Sequence, residues 1–454
     1  MLGGAVIEAL FKVAGQLAHL AGLEPLGADR GHTLGGPEPR AIHAHKLKIL
    51  LAAQPVIQRE AEGLVIVLAR VVVEDIGDNL AVQHRLTGLE QIIANAPQVV
   101  LTEALDRRLR EGPWTVTTER PEGVVLDPND YYSEAPYWWP DPASPGGPYI
   151  RKDGQTNPNR FTAHKNALNA MADAVFTLGA SAYLLDEPRY AQRAARVIRV
   201  WFVDPKTRMN PSLEYSQAIR GRNDGRGAGI IDGRVFIRAI QGMEFLAQTG
   251  LWDARDQAAV RRWFEEYLQW LAHGDNGLDE KRAGNNHASW WTAQVAAVAS
   301  FVEKSAEMQA AFNYYRDHIF PTQIRADGSA PREESRTRSL WYSAFNLEAF
   351  VNVCRIAQVQ GVDLWSVRAK NGATVSTVLD YLEPFLSDPR KWPKEQISEF
   401  TNEGLYLLAF AGMGLNKPAH VALFRRLESS DGAWLALVDL IVARWENAAH
   451  NTRH

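Results

Sequence analysis

Cysteine is nearly missing from this chain: there is one, Cys354, among 454 residues. An intrachain disulfide is therefore excluded, and packing must hold the fold. Cys354 closes the apolar run Phe350-Val351-Asn352-Val353, so a buried structural thiol is the expectation. A lone cysteine does not decide the redox compartment. Also missing is any run of 18 uncharged apolar residues, so no membrane span is expected. There is no HExxH motif and no pair of cysteines, and His287 has no histidine near it in sequence. His43 and His45 are two apart but lie in an atypical N-terminal stretch. No metal and no cofactor are expected on these grounds. A charge excess is missing too: 49 basic against 53 acidic residues give a net charge of −4. Nucleic acid is not an expected partner at that balance. A polyanionic substrate needs only a local gathering of basic residues, which the total does not exclude.

What remains is an ordinary globular composition, 46% hydrophobic and 22% charged, long enough for two domains or one large helical toroid. Residues 1–97 differ from the rest. They contain no tryptophan, tyrosine or cysteine and one phenylalanine, Phe11, whereas all 14 tryptophans come later. The opening stretch is apolar but carries Glu8, Lys12 and His19, which reads as an amphipathic helix and gives no clear signal peptide. We expect 1–97 to be an extension, or an upstream start site, and 98–454 to be the main domain. Val100 to Arg110 reads as a short helix. Residues 121–160 hold eight prolines together with Tyr131, Tyr132, Tyr137, Trp138, Trp139 and Tyr149. Proline fixes φ and lacks an N–H, so this is a long aromatic loop, either a lid or a packed edge.

Beyond Thr162 the apolar spacing is helical, as in Leu168, Met171, Val175 and Leu178, then Val197, Val200 and Trp201. Further helices are expected near 234–249, 255–273, 288–304, 306–317, 339–361, 373–386, 396–412, 418–427 and 432–447. No alternating pattern is long enough for a large sheet. The expected class is all-α, an array of antiparallel helical hairpins without a fixed repeat period. Between two helices, Met209 to Gly227 is rich in Arg, Asn, Gln and Gly, a composition suited to a sugar-binding lining or to a solvated loop.

Two segments carry chemistry. Asn285-Asn286-His287-Ala288-Ser289-Trp290-Trp291 precedes an apolar helix, so its polar groups sit at a helix N-terminus, where an anion is favoured. A plain N-cap role for Asn286 is the alternative. Arg336-Thr337-Arg338-Ser339-Leu340-Trp341-Tyr342 offers guanidinium groups and a phenol. On a continuous helix Arg338 and Tyr342 share a face, while Arg336 must lie at the helix start. Eliminative cleavage beside a uronic acid needs such groups. One set neutralises the carboxylate, a base takes the C5 proton, and an acid protonates the leaving oxygen at C4. An imidazole titrates near pH 6.5, whereas a phenol needs nearby positive charge to lower its pKa.

These two segments resemble the alginate lyase family of polysaccharide lyases. So do the loop Tyr131-Tyr132-Ser133-Glu134-Ala135-Pro136-Tyr137-Trp138-Trp139-Pro140-Asp141-Pro142, the stretch Pro148 to Gly154, and the loop from Met209 to Asp232. The likeness spans about Gln98 to at least Gln396. It implies an (α/α) toroid with a deep cleft and lid, and metal-free β-elimination on an acidic polysaccharide. It implies carboxylate-facing roles for Asn286 and His287, with His287 assisting as base. Tyr342 becomes base, acid or both, and Arg336 the neutralising arginine, held together with Arg338. Glu280 is the expected orienting carboxylate for His287. The substrate-binding candidates are Arg338, Tyr132, Trp138, Trp139, Tyr215, Gln217, Arg222, Arg226 and Trp290. Family members are exported, so a periplasmic or secreted location is implied. A glycoside hydrolase, with carboxylates drawn from Asp232, Glu333 and Glu334, and a non-catalytic polysaccharide-binding protein are the rival readings.

Overall fold

A computed structural model describes residues 105–401, 406–427, 437–438 and 441–442, all within the second of the chain's two units, Ala104–His454. The extension expected at 1–97 lies outside the described residues, as do 100–104 of the first expected helix and most of 432–447. Residues 105–110 are helical.

The helices are α1 (Ala163–Leu185), α2 (Pro188–Ile198), α3 (Phe236–Gln248), α4 (Ala254–His273), α5 (Asp275–Lys281), α6 (Asn286–Phe301) and α7 (Ser305–Tyr314). Then come the short α8 (Phe320–Gln323) and α9 (Pro331–Glu334), followed by α10 (Ser339–Val359), α11 (Val375–Ser387), α12 (Tyr406–Gly414) and α13 (Pro418–Arg426). Local chemistry sets their ends. Pro188, Pro331 and Pro418 open helices with φ already fixed and no orphan N–H. Asp253 accepts from the backbone of Arg255 and Asp256 to cap α4. Thr374 and Thr377 close a reciprocal capping box on α11.

One expected helix is corrected. The stretch 396–412 is not helical at its start, and α12 begins only among the residues from Tyr406. The reason is a strap. The amide of Gln396 accepts from the N–H groups of Leu340 and Trp341, and the N–H of Ile397 donates to Thr337. Residue 396 thus runs extended beside Arg338 and satisfies the first turn of α10.

Strands are few and short. β1 (Tyr132–Glu134) pairs in parallel with β4 (Tyr215–Ala218), and β2 (Trp138–Trp139) pairs antiparallel with β3 (Ile150–Arg151). The first pair pins the proline-rich loop to the loop at 209–226, and the second closes the proline-rich loop on itself. Beneath them Phe202, Phe236, Trp263, Phe264 and Tyr267 form an aromatic cluster, with Phe236 and Tyr267 ring centres 5.1 Å apart. The Trp263 indole N–H donates to Met209 at 2.6 Å, tying that loop to the core.

α1 is long and apolar enough to cross a membrane by length and composition. That apolarity serves packing: from Met171 to Ala182 nearly every residue is buried, and α1 packs on α2 and α3. The contact needs two glycines. A Cβ on Gly179 would sit 2.2 Å from the Gly242 carbonyl, and one on Gly242 would sit 2.4 Å from that of Val175. α6 is buried on nearly every face, which is why it shows little amphipathic bias. Gly242→Ala should therefore lower the urea midpoint of unfolding with an unchanged slope. A loss of about 1–3 kcal/mol, the usual cost of overpacking, is the expected result.

Candidate active site

The site begins at the N-terminus of α6. Asn285, in an extended conformation, accepts from the N–H of His287 and is the cap. Asn286 is the first helical residue and not the cap. Its backbone N–H and its side-chain amide both reach Glu333, at 2.6 and 2.7 Å. Asn286 is fully buried, and its Oδ1 has no hydrogen-bond partner. His287 Nδ1 lies 2.7 Å from Glu280 Oε1, so Glu280 stands where an orienting carboxylate was expected. Burial pushes the Glu280 carboxyl up, and the His287 ring works against that rise. If Nδ1 carries the proton, Nε2 is left with a lone pair.

The second segment enters from α9 and the strap. The expected Arg338–Tyr342 helical pair is not what forms. Arg338 precedes the helix, with φ −117° and ψ 54°, and its guanidinium stacks over Trp341 at 5.0 Å. Arg336 makes the contact instead, because the turn before α10 folds it back. Its Nη2 donates to the Tyr342 hydroxyl at 2.8 Å, and its guanidinium lies 3.9 Å from the Tyr342 ring centre. Asp153, from the proline-rich loop, accepts two further Arg336 hydrogen bonds, at 2.8 and 3.1 Å. The Tyr342 hydroxyl also donates to that of Tyr137, 2.9 Å away. The expectation that positive charge lowers the Tyr342 pKa is corrected: burial, then Tyr137, raise it, and Arg336 offsets only part. The phenol rests in its neutral form.

Both segments line one cleft of about 720 Å³. Asn286, His287, Arg336, Arg338, Tyr342 and Glu280 all border it, as do Trp138, Gln217 and Arg226. The other binding candidates do not. Tyr132 is buried with its hydroxyl near Glu134. Trp139 donates to Gln155, Arg222 donates to Tyr149, and Tyr215 sits in β4 away from the lining. Trp290 is buried behind Phe345, one turn deeper along α6 than His287. Gln217 holds φ at +48°, a strained value for a side-chain-bearing residue. Arg226, Asp232 and Ser133 all bond it in place.

The lining carries eight basic side chains against two acidic ones, Asp279 and Glu280. Sequence reasoning missed five of the basic ones, Arg151, Arg160, Lys165, Arg234 and Arg282, together with Tyr137 and Asp153. Tyr137 and Asp153 stand within stretches that signalled the family, yet spacing along the chain gave no cue that a lid residue touches α10. Arg160, Arg234, Arg282 and Arg338 have no carboxylate partner among the described residues.

The three carboxylates named for a hydrolase are committed elsewhere. Asp232 is buried and takes bonds from Tyr131, Ser133, Lys165 and Gln217. Glu334 pairs with Lys394 and Tyr381, and Glu333 lies under Asn286. Among the described residues one histidine–carboxylate group, Asp380, Glu383 and His420, has the spacing of metal ligands. None of the three borders the cleft, and the Lys417 ammonium already sits 3.1 Å from Asp380.

Comparison with known proteins shows the family. The family model described as alginate lyase matches residues 115–392. The crystal structure of an alginate lyase from Bacteroides ovatus is 33% identical, with a TM-score of 0.70, over 76% of this chain and 93% of that one. Alginate lyase A1-III from Sphingomonas species A1 matches at 14% identity and a TM-score of 0.45, over 69% of this chain and 86% of that one. A search of curated proteins finds no match. The fold is an (α/α) toroid, and the family match makes the protein a polysaccharide lyase. Within that class the chain belongs to the alginate lyase family.

The Asp153–Arg336 pair has a measurable signature. Burial raises the Asp153 carboxyl, but hydrogen bonding and charge from Arg336, then Arg151, bring it down to about 2. A carboxyl depressed in the folded state stabilises above its unfolded pKa, and that stability disappears as pH falls toward 2. Asp153→Asn should be less stable than the parent at pH 6 by up to about 1 kcal/mol, since solvent screens the pair. Thermal melts at pH 6 and pH 2.5 should show the difference narrowing at the lower pH.

Proposed function

We propose that this lyase cleaves an alginate-like polyuronate by β-elimination within the cleft. The observation that carries the reading is convergence. An imidazole oriented by Glu280 and a phenol held by Arg336 share one cation-rich pocket. The polymer's carboxylate would lie among Asn286, Arg336 and Arg338, where developing enolate charge is stabilised. A base removes the C5 proton, the electrons form the C4–C5 double bond, the C4–oxygen bond breaks, and the departing oxygen is protonated. His287 Nε2 suits the first proton transfer, since its lone pair is free when Nδ1 donates to Glu280. Tyr342, neutral at rest, suits the second. Trp138 and Arg226 would hold neighbouring sugar units. A polymer of this kind does not cross a membrane, so we place the activity in the periplasm or outside the cell.

Tyr342→Phe should abolish the rise in ultraviolet absorbance that marks the unsaturated product while keeping the native circular dichroism. Activity at the parental level would remove Tyr342 from the mechanism. Asn286→Ala and Arg336→Ala should each lower turnover by about 10²–10³, the usual cost of one lost charge-stabilising donor. Assays on alginate, polymannuronate, polyguluronate and glucuronan would identify the sugar. We further propose that residues 1–97 are dispensable. A 98–454 chain should keep kcat, and loss of soluble protein on truncation would show that they are not.

A further inference from the structure

The contact between Asn286 and Glu333 has an unresolved polarity. With the amide nitrogen toward Glu333, the other branch of the carboxamide is a buried carbonyl oxygen without a partner. An unpartnered buried polar atom costs about 1–3 kcal/mol, and only a ligand of the opposite pole can relieve it here. In a cleft that takes a carboxylate the oxygen is the wrong pole. The carboxamide has the same shape when its oxygen and nitrogen are exchanged. The same atomic positions therefore fit a second arrangement of hydrogens.

We propose that Glu333 is a positioning residue that works as the neutral acid: its Oε2–H donates to the Asn286 carbonyl oxygen and turns the Asn286 NH₂ toward the substrate carboxylate. This rests on the proposed eliminative site and adds to it the group that sets the direction of the Asn286 amide. The Asn286 backbone N–H keeps its 2.6 Å bond to Glu333 Oε1 in either arrangement. Only the 2.7 Å contact changes its donor.

The surroundings support the neutral form. Glu333 is 1% exposed, and its carboxyl is pushed up by burial. Opposing that rise are the two Asn286 donors, the charge of Arg336, in the turn before α10, and His287, at the start of α6, whenever its ring carries a second proton. On its own helix, Arg332 turns to the carbonyls of Ala283 and Gly284, and Glu334 to Lys394. A bound polyuronate brings further negative charge to this spot, which favours protonation again. Glu333 should thus lose its proton, and the Asn286 amide its direction, as pH rises through the elevated pKa.

Glu333→Gln tests this directly. Glutamine cannot ionise. It can accept from the Asn286 backbone with its oxygen and donate to the Asn286 carbonyl with its nitrogen, as the neutral acid would. We expect a kcat within about fivefold of the parent at the parental pH optimum. The ratio of variant to parental kcat should then climb as pH is raised. Glu333→Ala should lose about 10²-fold or more. A ratio that stays flat or falls with pH, or a loss in Glu333→Gln as deep as in Glu333→Ala with native circular dichroism, overturns the proposal. A second measurement does not depend on any variant's folding. The infrared spectrum of the unaltered protein at its pH of activity should contain a protonated-carboxyl band, and its absence overturns the proposal too. Tyr342→Phe separates the two levels. Activity in that variant removes the eliminative site itself. A dead Tyr342→Phe beside a crippled Glu333→Gln leaves that site standing and removes only the neutral role of Glu333.

Discussion

The Arg336 guanidinium is the contact on which the cleft depends. One planar fork meets Asp153 from the proline-rich loop and Tyr342 from α10, and its face covers the phenol ring. Lysine could not replace it, because a single ammonium has neither the two-pronged geometry nor a flat face. The arginine itself is fixed by the strap, in which residues 395–397 bond the backbone of Thr337 and Ser339. Lid, phenol and strap therefore form one connected set of hydrogen bonds. Tyr137, held by the phenol from the other side, extends it to the tip of the loop. Such a set is stable only while every member is satisfied, which makes the position of the phenol precise and its partners hard to exchange.

How far this was legible in the sequence differs by element. The long helices were plain, because a buried face leaves a three-and-four spacing in the chain; α4, with Val260, Trp263, Phe264, Tyr267 and Leu271 inside, is an example. The meeting of the Asn-Asn-His and Arg-to-Tyr segments was legible through family likeness, since no local pattern states that α6 and α10 are neighbours. The strap at 396 was not legible. An apolar stretch reads as helix until a distant helix terminus claims its backbone. The Arg336–Tyr342 contact broke a spacing rule for the same reason: the rule assumes a helix, and Arg336 precedes one. Trp290 was drawn toward the site by adjacency in sequence, but it lies one turn deeper along α6 than His287, where Phe345 packs against it.

The scaffold explains why these small displacements matter. α1 and α3 touch backbone to backbone at Gly179 and Gly242, and the aromatic cluster under the 209–226 loop leaves that loop little freedom. Gln217 shows the consequence. It stays in a left-handed backbone conformation that costs about 1–3 kcal/mol, because three neighbours hold it there. A flexible loop would relax out of that conformation and take the Gln217 side chain out of the cleft lining.

Charge gives the cleft its direction. The buried carboxylates of the scaffold are each answered by a cation or a set of donors, as Asp232 is by Lys165. The reverse does not hold. Arg160, Arg234, Arg282 and Arg338 border the cleft with no carboxylate partner among the described residues. Guanidinium groups with no carboxylate bonded to them leave positive charge in the cleft for something anionic to meet. A polymer with a carboxylate on every unit supplies it at regular intervals, so binding would repair an imbalance built into the fold. The same imbalance fits the proposed division of labour. Positive potential favours the developing enolate wherever it forms, while the burial that keeps Tyr342 neutral stores the proton that the departing oxygen needs. In this proposal, attraction of the polymer, stabilisation of the enolate and retention of the phenol's proton all come from one low-dielectric, cation-lined pocket.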